Sequence, residues 1–329
     1  MENMLTRRTM LRSAAAFAAL PQFSNMALAR SQWPAREIRA VCGFPPGSGA
    51  DALARFYARK LQETLGATVI LDNKVGAFGN IASEYVAKAK PDGYTILIAP
   101  GFSTLAAAPS LYKSLPFDPV KDFDHVTTLS KVAFILIVAG DSSYKSVADL
   151  TSYLQAKGDK ASYGSVSNTG LAASELYKAC FNLPTVEVKY KDPSAMLQDL
   201  HGGNIVFSHF DPIQAAGPLK EGKLRALAIS AKDRFVSLPD IPSASEAGIK
   251  NCDIVAWWSV HAPKGTSSTT IEKLETLFNQ IVIGDDHRKF LTPIGSDPFP
   301  GSSAKLQELL NKDIEAWREY VKIGHISPI

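Results

Sequence analysis

The sequence predicts an α/β protein of two domains, each a mostly parallel sheet flanked by helices. Strand-like and helix-like runs alternate almost throughout, the pattern of parallel sheets with crossover helices. A chain of 329 residues exceeds one comfortable hydrophobic core. No flexible tether interrupts it: the Pro/Asp-rich stretches 115–119 and 238–242 are short loops. The domains are therefore expected to join by short crossings.

The first element is expected to be removed. Thr6-Arg7-Arg8-Thr9-Met10-Leu11-Arg12 is a twin-arginine pattern. The apolar run 13–20, Pro21 and Ala27-Leu28-Ala29 complete an export signal with cleavage near Ala29. That run is far shorter than the roughly 20 residues needed to span a bilayer. Loss of 1–29 removes Arg7, Arg8 and Arg12 against Glu2, so most of the formal +3 charge goes with it. No basic excess remains to attract nucleic acid or an anionic membrane. The expected location is the periplasm.

The mature chain opens on a strand at 38–42, the loop Phe44-Pro45-Pro46-Gly47-Ser48-Gly49-Ala50-Asp51 and an amphipathic helix. On that helix Leu53, Phe56, Tyr57, Leu61, Thr64 and Leu65 fall on one face, and Gly66 supplies a stop. Further strands are expected at 68–71, 95–99, 134–139, 161–163, 186–189, 205–207, 224–229 and 254–260. Further helices are expected at 80–89, 146–156, 171–181, 195–201, 269–283 and 303–321. No internal repeat or low-complexity tract breaks the pattern.

Ligands of open α/β sheets bind beyond the carboxyl ends of strands. The segments there are rich in Gly, Ser, Thr and Asn: 44–51, 76–80, 100–104, 164–170, 190–192 and 208–211. They carry few fixed cations, but they offer backbone N–H groups and hydroxyls. A glycine-bearing loop that opens a helix is suited to an anion. Asp51 reads equally as a ligand contact or as the first-turn acid of its helix.

Little points to catalysis, and an enzyme is not expected. There is no Gly-x-Ser-x-Gly elbow and no local Ser/His/Asp arrangement. His209 beside Asp211 is the best candidate for chemistry, weighed against a structural histidine lining a cleft. Of three cysteines, Cys42 is expected to pack as a small apolar residue, and Cys180 with Cys252 is an open pairing. Metal-ligand spacings are absent from the sequence. The rival is an exported NAD(P)-dependent oxidoreductase: the turn from Gly47 to Ala52 satisfies G-x-G-x-x-A, with Asp72 near the place of a ribose-binding acid. Against it, Phe44-Pro45-Pro46 lengthens the turn and removes two N–H donors. No cofactor is expected.

From about Trp33 onward the chain resembles the Bug/TctC family, the extracytoplasmic solute-binding proteins of tripartite tricarboxylate transporters. The resemblance rests on the 44–51 loop, on Asp72-Asn73-Lys74-Val75-Gly76-Ala77-Phe78-Gly79-Asn80-Ile81 and on Pro91-Asp92-Gly93-Tyr94-Thr95. It continues through Leu111-Tyr112-Lys113-Ser114-Leu115-Pro116-Phe117-Asp118-Pro119, Asp199-Leu200-His201-Gly202-Gly203 and Gly222-Lys223-Leu224-Arg225-Ala226-Leu227-Ala228. Pro239-Asp240-Ile241-Pro242, Glu246-Ala247-Gly248 and Trp257-Trp258 close the set. The resemblance implies a type II periplasmic binding protein with a ligand cleft between its domains. One domain would comprise 30–130 plus 255–329 and the other 131–254, closing on a small carboxylated solute. It implies transporter subunits as partners, or a signalling partner if the chain serves as a sensor, and a monomer. Carried over residue by residue, the ligand contacts are Phe44, Gly47, Ser48 and Asp51 on the first loop. Elsewhere they are Gly79, Ser103, Ser165, Ser167, Thr169, Tyr190 and Asp211. Departures from the family pattern gather at Leu171 and at Lys189-Tyr190-Lys191-Asp192, where ligand identity would be decided.

Overall fold

A computed structural model describes residues 33–328, so the expected export signal and its cleavage point lie outside the described residues. Trp33, Pro34 and Ala35 belong to an N-terminal unit of their own, with a cis Trp33–Pro34 bond. All that follows concerns the unit Arg36–Ile329.

The chain begins β1(Ile38–Cys42), α1(Gly49–Leu65), β2(Val69–Asn73), α2(Asn80–Ala87), β3(Thr95–Ala99). A wide π-type turn, Phe102–Ala106, and the short α3(Ala108–Leu111) lead to β4(Phe123–Ala133). Next come β5(Ile135–Ala139), α4(Val147–Lys157), β6(Ser162–Ser165), α5(Asn168–Phe181), β7(Val186–Lys189) and α6(Pro193–His201). They are followed by β8(Ser208–Phe210), α7(Pro212–Lys220) and β9(Leu224–Ile229). The chain ends with β10(Val255–Pro263), α8(Ser268–Ile283), α9(Asp285–Leu291), β11(Ser296–Pro298) and α10(Ser303–Ile323).

Six strands form the larger sheet in the order β11-β4-β10-β3-β1-β2. β1 pairs in parallel with β2 and β3, whereas β10 lies antiparallel between β3 and β4. β1 to β4 thus run one way, and β10 and β11 run against them. The second sheet is β8-β5-β9, with β5 antiparallel to both neighbours. β6 and β7 pair in parallel, and Tyr163 bridges to Phe207 beside β8. The chain changes sheet at Phe134, between adjacent strands, and returns through the longer segment between Ile229 and Val255.

α1 forms because Ser48 caps its first turn, its side chain accepting the Asp51 N–H, and Gly66 ends it at φ 66°. Its buried face is Leu53, Ala54, Phe56, Tyr57, Ala58 and Leu61. Thr64, expected on that face, is exposed and bonds back to the Lys60 carbonyl. A cluster containing Trp257, Trp317, Phe102 and Leu105 packs the larger sheet and also takes in Ala172 and Ala173 of α5. α10 packs against both the π-type turn and α5, which is why the cluster reaches from one to the other.

The 11-residue β4 was not expected from the sequence, because Asp, His, Thr and Ser dominate it. Nearly all of it is buried, and its polar groups are satisfied by neighbours: Thr127 and Thr128 donate to the carbonyls of Gly301 and Phe299. The expected change of domain at 130/131 falls inside this strand. The strand expected at 205–207 is displaced to Ser208–Phe210. α7 was hidden by its prolines, although Pro212 occupies a first-turn position where no N–H is needed. All three thiols are free, so Cys180 and Cys252 do not pair; Cys42 is fully buried, as expected.

Candidate functional site

The polar segments that follow β1, β2 and β3 come together on one side of the site. Gly43 touches Gly79 so closely that a Cβ on Gly43 would fall 2.4 Å from the Gly79 Cα. A Cβ on Gly79 would fall 3.0 Å from Thr104 Cγ2 and 3.6 Å from the Phe44 ring. Thr104 Oγ1 donates to the Phe78 carbonyl at 3.2 Å. Gly76, Ala77, Phe78 and Gly79 are four successive residues at positive φ, and the Phe78 side chain is exposed. Left-handed backbone costs roughly 1–2 kcal/mol for a residue with a Cβ, so contacts such as Thr104–Phe78 must hold the turn in place.

The first loop is organised by Asp51. Its Oδ2 accepts the Gly47 N–H at 2.9 Å, and its Oδ1 accepts Asn73 Nδ2 and Arg55 Nη2 at 2.9 and 2.8 Å. Asn73 Nδ2 also donates to the Phe44 carbonyl at 2.9 Å. Burial works to raise the Asp51 carboxyl, but these donors outweigh it and hold the pKa below the usual range. Both oxygens are therefore spent on the loop itself. Ser48 Oγ donates to the Pro45 carbonyl at 2.7 Å while accepting from Asp51 N. The N–H groups of Gly49 and Ala50, on the first turn of α1, have no acceptor within that helix.

The other side is built from the ends of β6, β7 and β8. Ser167 caps α5, accepting the Gly170 N–H at 3.1 Å, which leaves the Asn168 and Thr169 N–H groups without intrahelical acceptors. Ser165 is buried and donates to Glu187, and its carbonyl accepts the Tyr190 N–H at 2.8 Å. Tyr190 donates its hydroxyl to Asp199 at 2.6 Å; burial, then that carboxylate, lifts its pKa to about 12. Asp211 caps α7 through the Ile213 N–H at 2.8 Å, and burial raises its carboxyl against that bond. A Cβ on Gly170 would fall 2.5 Å from the His209 carbonyl, which ties the start of α5 to the Asp211 turn. A Cβ on Gly49 would lie 3.7 Å from Ile213 Cγ2, so the two sides approach each other at these helix starts.

The structure thus gathers Phe44, Gly47, Ser48, Asp51 and Gly79 on one side. Ser165, Ser167, Thr169, Tyr190 and Asp211 lie on the other. Ser103 sits in the π-type turn but turns its hydroxyl back to the Pro100 carbonyl at 3.4 Å; Thr104 beside it makes the packing contact. Asn73 and Thr104 were not singled out from the sequence. Asn73 had a readable signal, as the residue that ends the strand beside β1; Thr104 had none, since only folding sets it against Gly79.

Groups suited to chemistry are otherwise engaged. His209 is buried, with Nδ1 3.0 Å from Ser174 Oγ, and burial drives its pKa down to about 3. It stays neutral as a structural residue. Asp72 is paired with Arg39 at 3.0 Å and Lys74 at 3.1 Å, so it is not free to hold a ribose. Among the described residues no group of three or more His, Cys, Asp or Glu side chains gathers to hold a metal ion.

Polar loops at strand ends, fed by helix N-termini, are the setting in which an α/β protein of this kind holds a small ligand. The chain belongs to the tripartite tricarboxylate transporter receptor family, TctC, whose model matches residues 53–324. A UPF0065 protein of Bordetella bronchiseptica is 32% identical over 301 residues, covering 90% of this chain and 88% of its own. Protein BugT of Bordetella pertussis is 27% identical over 292 residues, covering 88% of this chain and 90% of its own. Among solved structures, R. palustris Rpa4515 with adipate matches with a TM-score of 0.76 at 32% identity, over 90% of this chain and 100% of that one. MatC from Rhodopseudomonas palustris with bound malate gives 0.71 at 28%, over 88% and 99%. The family and these neighbours are solute receptors, not enzymes.

Proposed function

We propose that this protein is an exported, monomeric receptor that captures a small carboxylated solute between the 44–51 and 165–170 loops. It would work in the periplasm after cleavage near Ala29 and hand its solute to the membrane subunits of a tripartite tricarboxylate-type transporter. The observation that carries this reading is a pair of capped helix starts, α1 and α5, whose first N–H groups have no acceptor within the helix, with α1 approaching the start of α7 at Gly49–Ile213 and α5 tied to that same turn through Gly170–His209. Such termini favour an anion through aligned dipoles and free donors. A hydrogen bond to a charged group contributes roughly 1.5–3 kcal/mol, so four or five give ~6–15 kcal/mol gross. Micromolar capture needs about 8 kcal/mol net, which is reachable without an arginine clamp if water is excluded.

Solved relatives carrying adipate and malate support a small dicarboxylate as the first class to test. The part 30–130 plus 255–329 would close against 131–254, with the changes of sheet at Phe134 and before Val255 as the flexing points. In a thermal-shift series of adipate, malate, aromatic acids and amino acids, at least one carboxylate should raise the melting temperature in proportion to RT ln(1 + [L]/Kd). A flat response to every carboxylate would refute the proposal.

A further inference from the structure

A half-open pocket of about 230 Å³ lies where the chain passes between its two larger sheets; it is lined by none of the residues expected to contact the solute, although Phe102 of the π-type turn borders it. Its walls come from β4, β10, α10 and the segments on either side of the β9–β10 crossing. Both signs of charge face it: Asp233, Asp253 and Asp313 against Lys131 and Lys312.

Two of these groups are incompletely satisfied. Asp313 is only 8% exposed; its Oδ2 accepts the Trp257 indole N–H at 2.6 Å, and its Oδ1, which takes no hydrogen bond from a described residue, is left open to the pocket and to solvent. Burial raises its carboxyl to about 6, against the opposing effects of Trp257 and Lys312. The Lys131 ammonium lies over the rings of Phe235 and Phe299, 4.8 and 5.9 Å from their centroids, and makes no ion pair among the described residues. An oxygen that no protein donor claims is free to take a hydrogen bond from a ligand. An amine alone would meet two ammonium groups here, and a carboxylate alone would meet three carboxylates. A molecule bearing both charges satisfies both ends. We propose that this cavity is a second binding site, for a small zwitterion of the amino-acid kind, with its ammonium group on Asp313 and its carboxylate on Lys131. The proposal does not depend on what the cleft binds.

Trp257 forms part of the wall, so occupancy is readable by tryptophan fluorescence as well as calorimetry. The probes are glycine, β-alanine and γ-aminobutyrate, with n-butylamine and butyrate as single-charge controls. At least one zwitterion should bind saturably and change the fluorescence. Each control should bind at least about tenfold more weakly, ~1.4 kcal/mol. Asp313→Asn retains an acceptor for Trp257 and should weaken the zwitterion by about tenfold or more; Lys131→Met should do the same, and it carries the test by itself if the first variant fails to fold. Ser167→Ala, in the cleft, should leave zwitterion binding unchanged. The proposal is overturned if no zwitterion binds, if a single-charge control binds as well, or if binding survives Asp313→Asn and Lys131→Met. Loss of zwitterion binding in Ser167→Ala alone would assign it to the cleft and also overturn the proposal.

Discussion

Asp51 shows how one side chain can hold the shape of a loop from within. It takes hydrogen bonds from Gly47, Asn73 and Arg55, and the loop keeps its shape only while those donors are held. Asp51→Ala should cost about 1–3 kcal/mol by leaving donors unpaired, measured by urea denaturation, and should weaken carboxylate binding as well. Two glycines separate backbone cost from crowding. Gly47 is at φ 81° with open space around its Cα, whereas Gly79 is at φ 95° against Thr104 and Phe44. Gly47→Ala should lose roughly 1–2 kcal/mol from backbone strain alone. Gly79→Ala should lose more, because the same strain is joined by a 3.0 Å contact with Thr104 Cγ2. Equal melting temperatures for the two variants would contradict this account.

At the scale of elements, the start of α5 and the β4–β10 pair carry the clearest consequences. Ser167 caps α5 directly beneath the unclaimed N–H groups of the site. Ser167→Ala should cost ~0.5–2 kcal/mol of stability and should also lower carboxylate affinity; a full loss of stability with unchanged affinity would remove α5 from the site. In β4 and β10, His125 Nδ1 meets His261 Nδ1 at 2.7 Å, and His261 Nε2 meets Ser259 Oγ at 2.6 Å. His125 Nε2 is buried without a partner. An orphaned acceptor is better tolerated than an orphaned N–H, so His125 is assigned as donor through Nδ1 and His261 as donor to Ser259. Both rings are then neutral. This buried polar relay is why β4 could not be recognised from apolar alternation: its Thr, His and Ser side chains face protein partners instead of solvent. The α1 face, by contrast, was legible because its partners are apolar and its caps are local.

For the whole molecule, the buried histidines set the response to acid. Burial lowers the pKa of His125 to about 4 and of His209 to about 3, and it lowers His261 and His287 too. Between the unfolded value of 6.5 and these folded values the unfolded chain binds more protons, so stability falls as pH drops through that window. Asp313, raised to about 6, and Asp211, also raised by burial, act in the opposite sense, because their folded forms hold the extra protons. Four histidines outweigh these two carboxyls. Unfolding free energy should decline by more than ~1.4 kcal/mol per pH unit between pH 6.5 and 4. Denaturation curves at stepped pH check this, and a flat profile would mean that the histidines titrate normally in the fold. If the two parts close on a solute, the radius of gyration in solution scattering should shrink when a stabilising carboxylate is added, and an unchanged radius would argue against closure.

The sequence by itself determined the alternating α/β order, the local caps and the glycine-bearing loops, because these depend on neighbours a few residues apart. It also carried enough motifs to place the chain in its family. Tertiary structure alone decided that β10 inserts between β3 and β4, and that Asp51 is spent on its own loop. It also decided that Thr104 backs Gly79, and that Asp313 faces a mixed-charge cavity with one oxygen bare. Apart from the Gly47 and Arg55 bonds of Asp51, these depend on residues tens to hundreds of positions apart, whose proximity is set by packing rather than by local propensity.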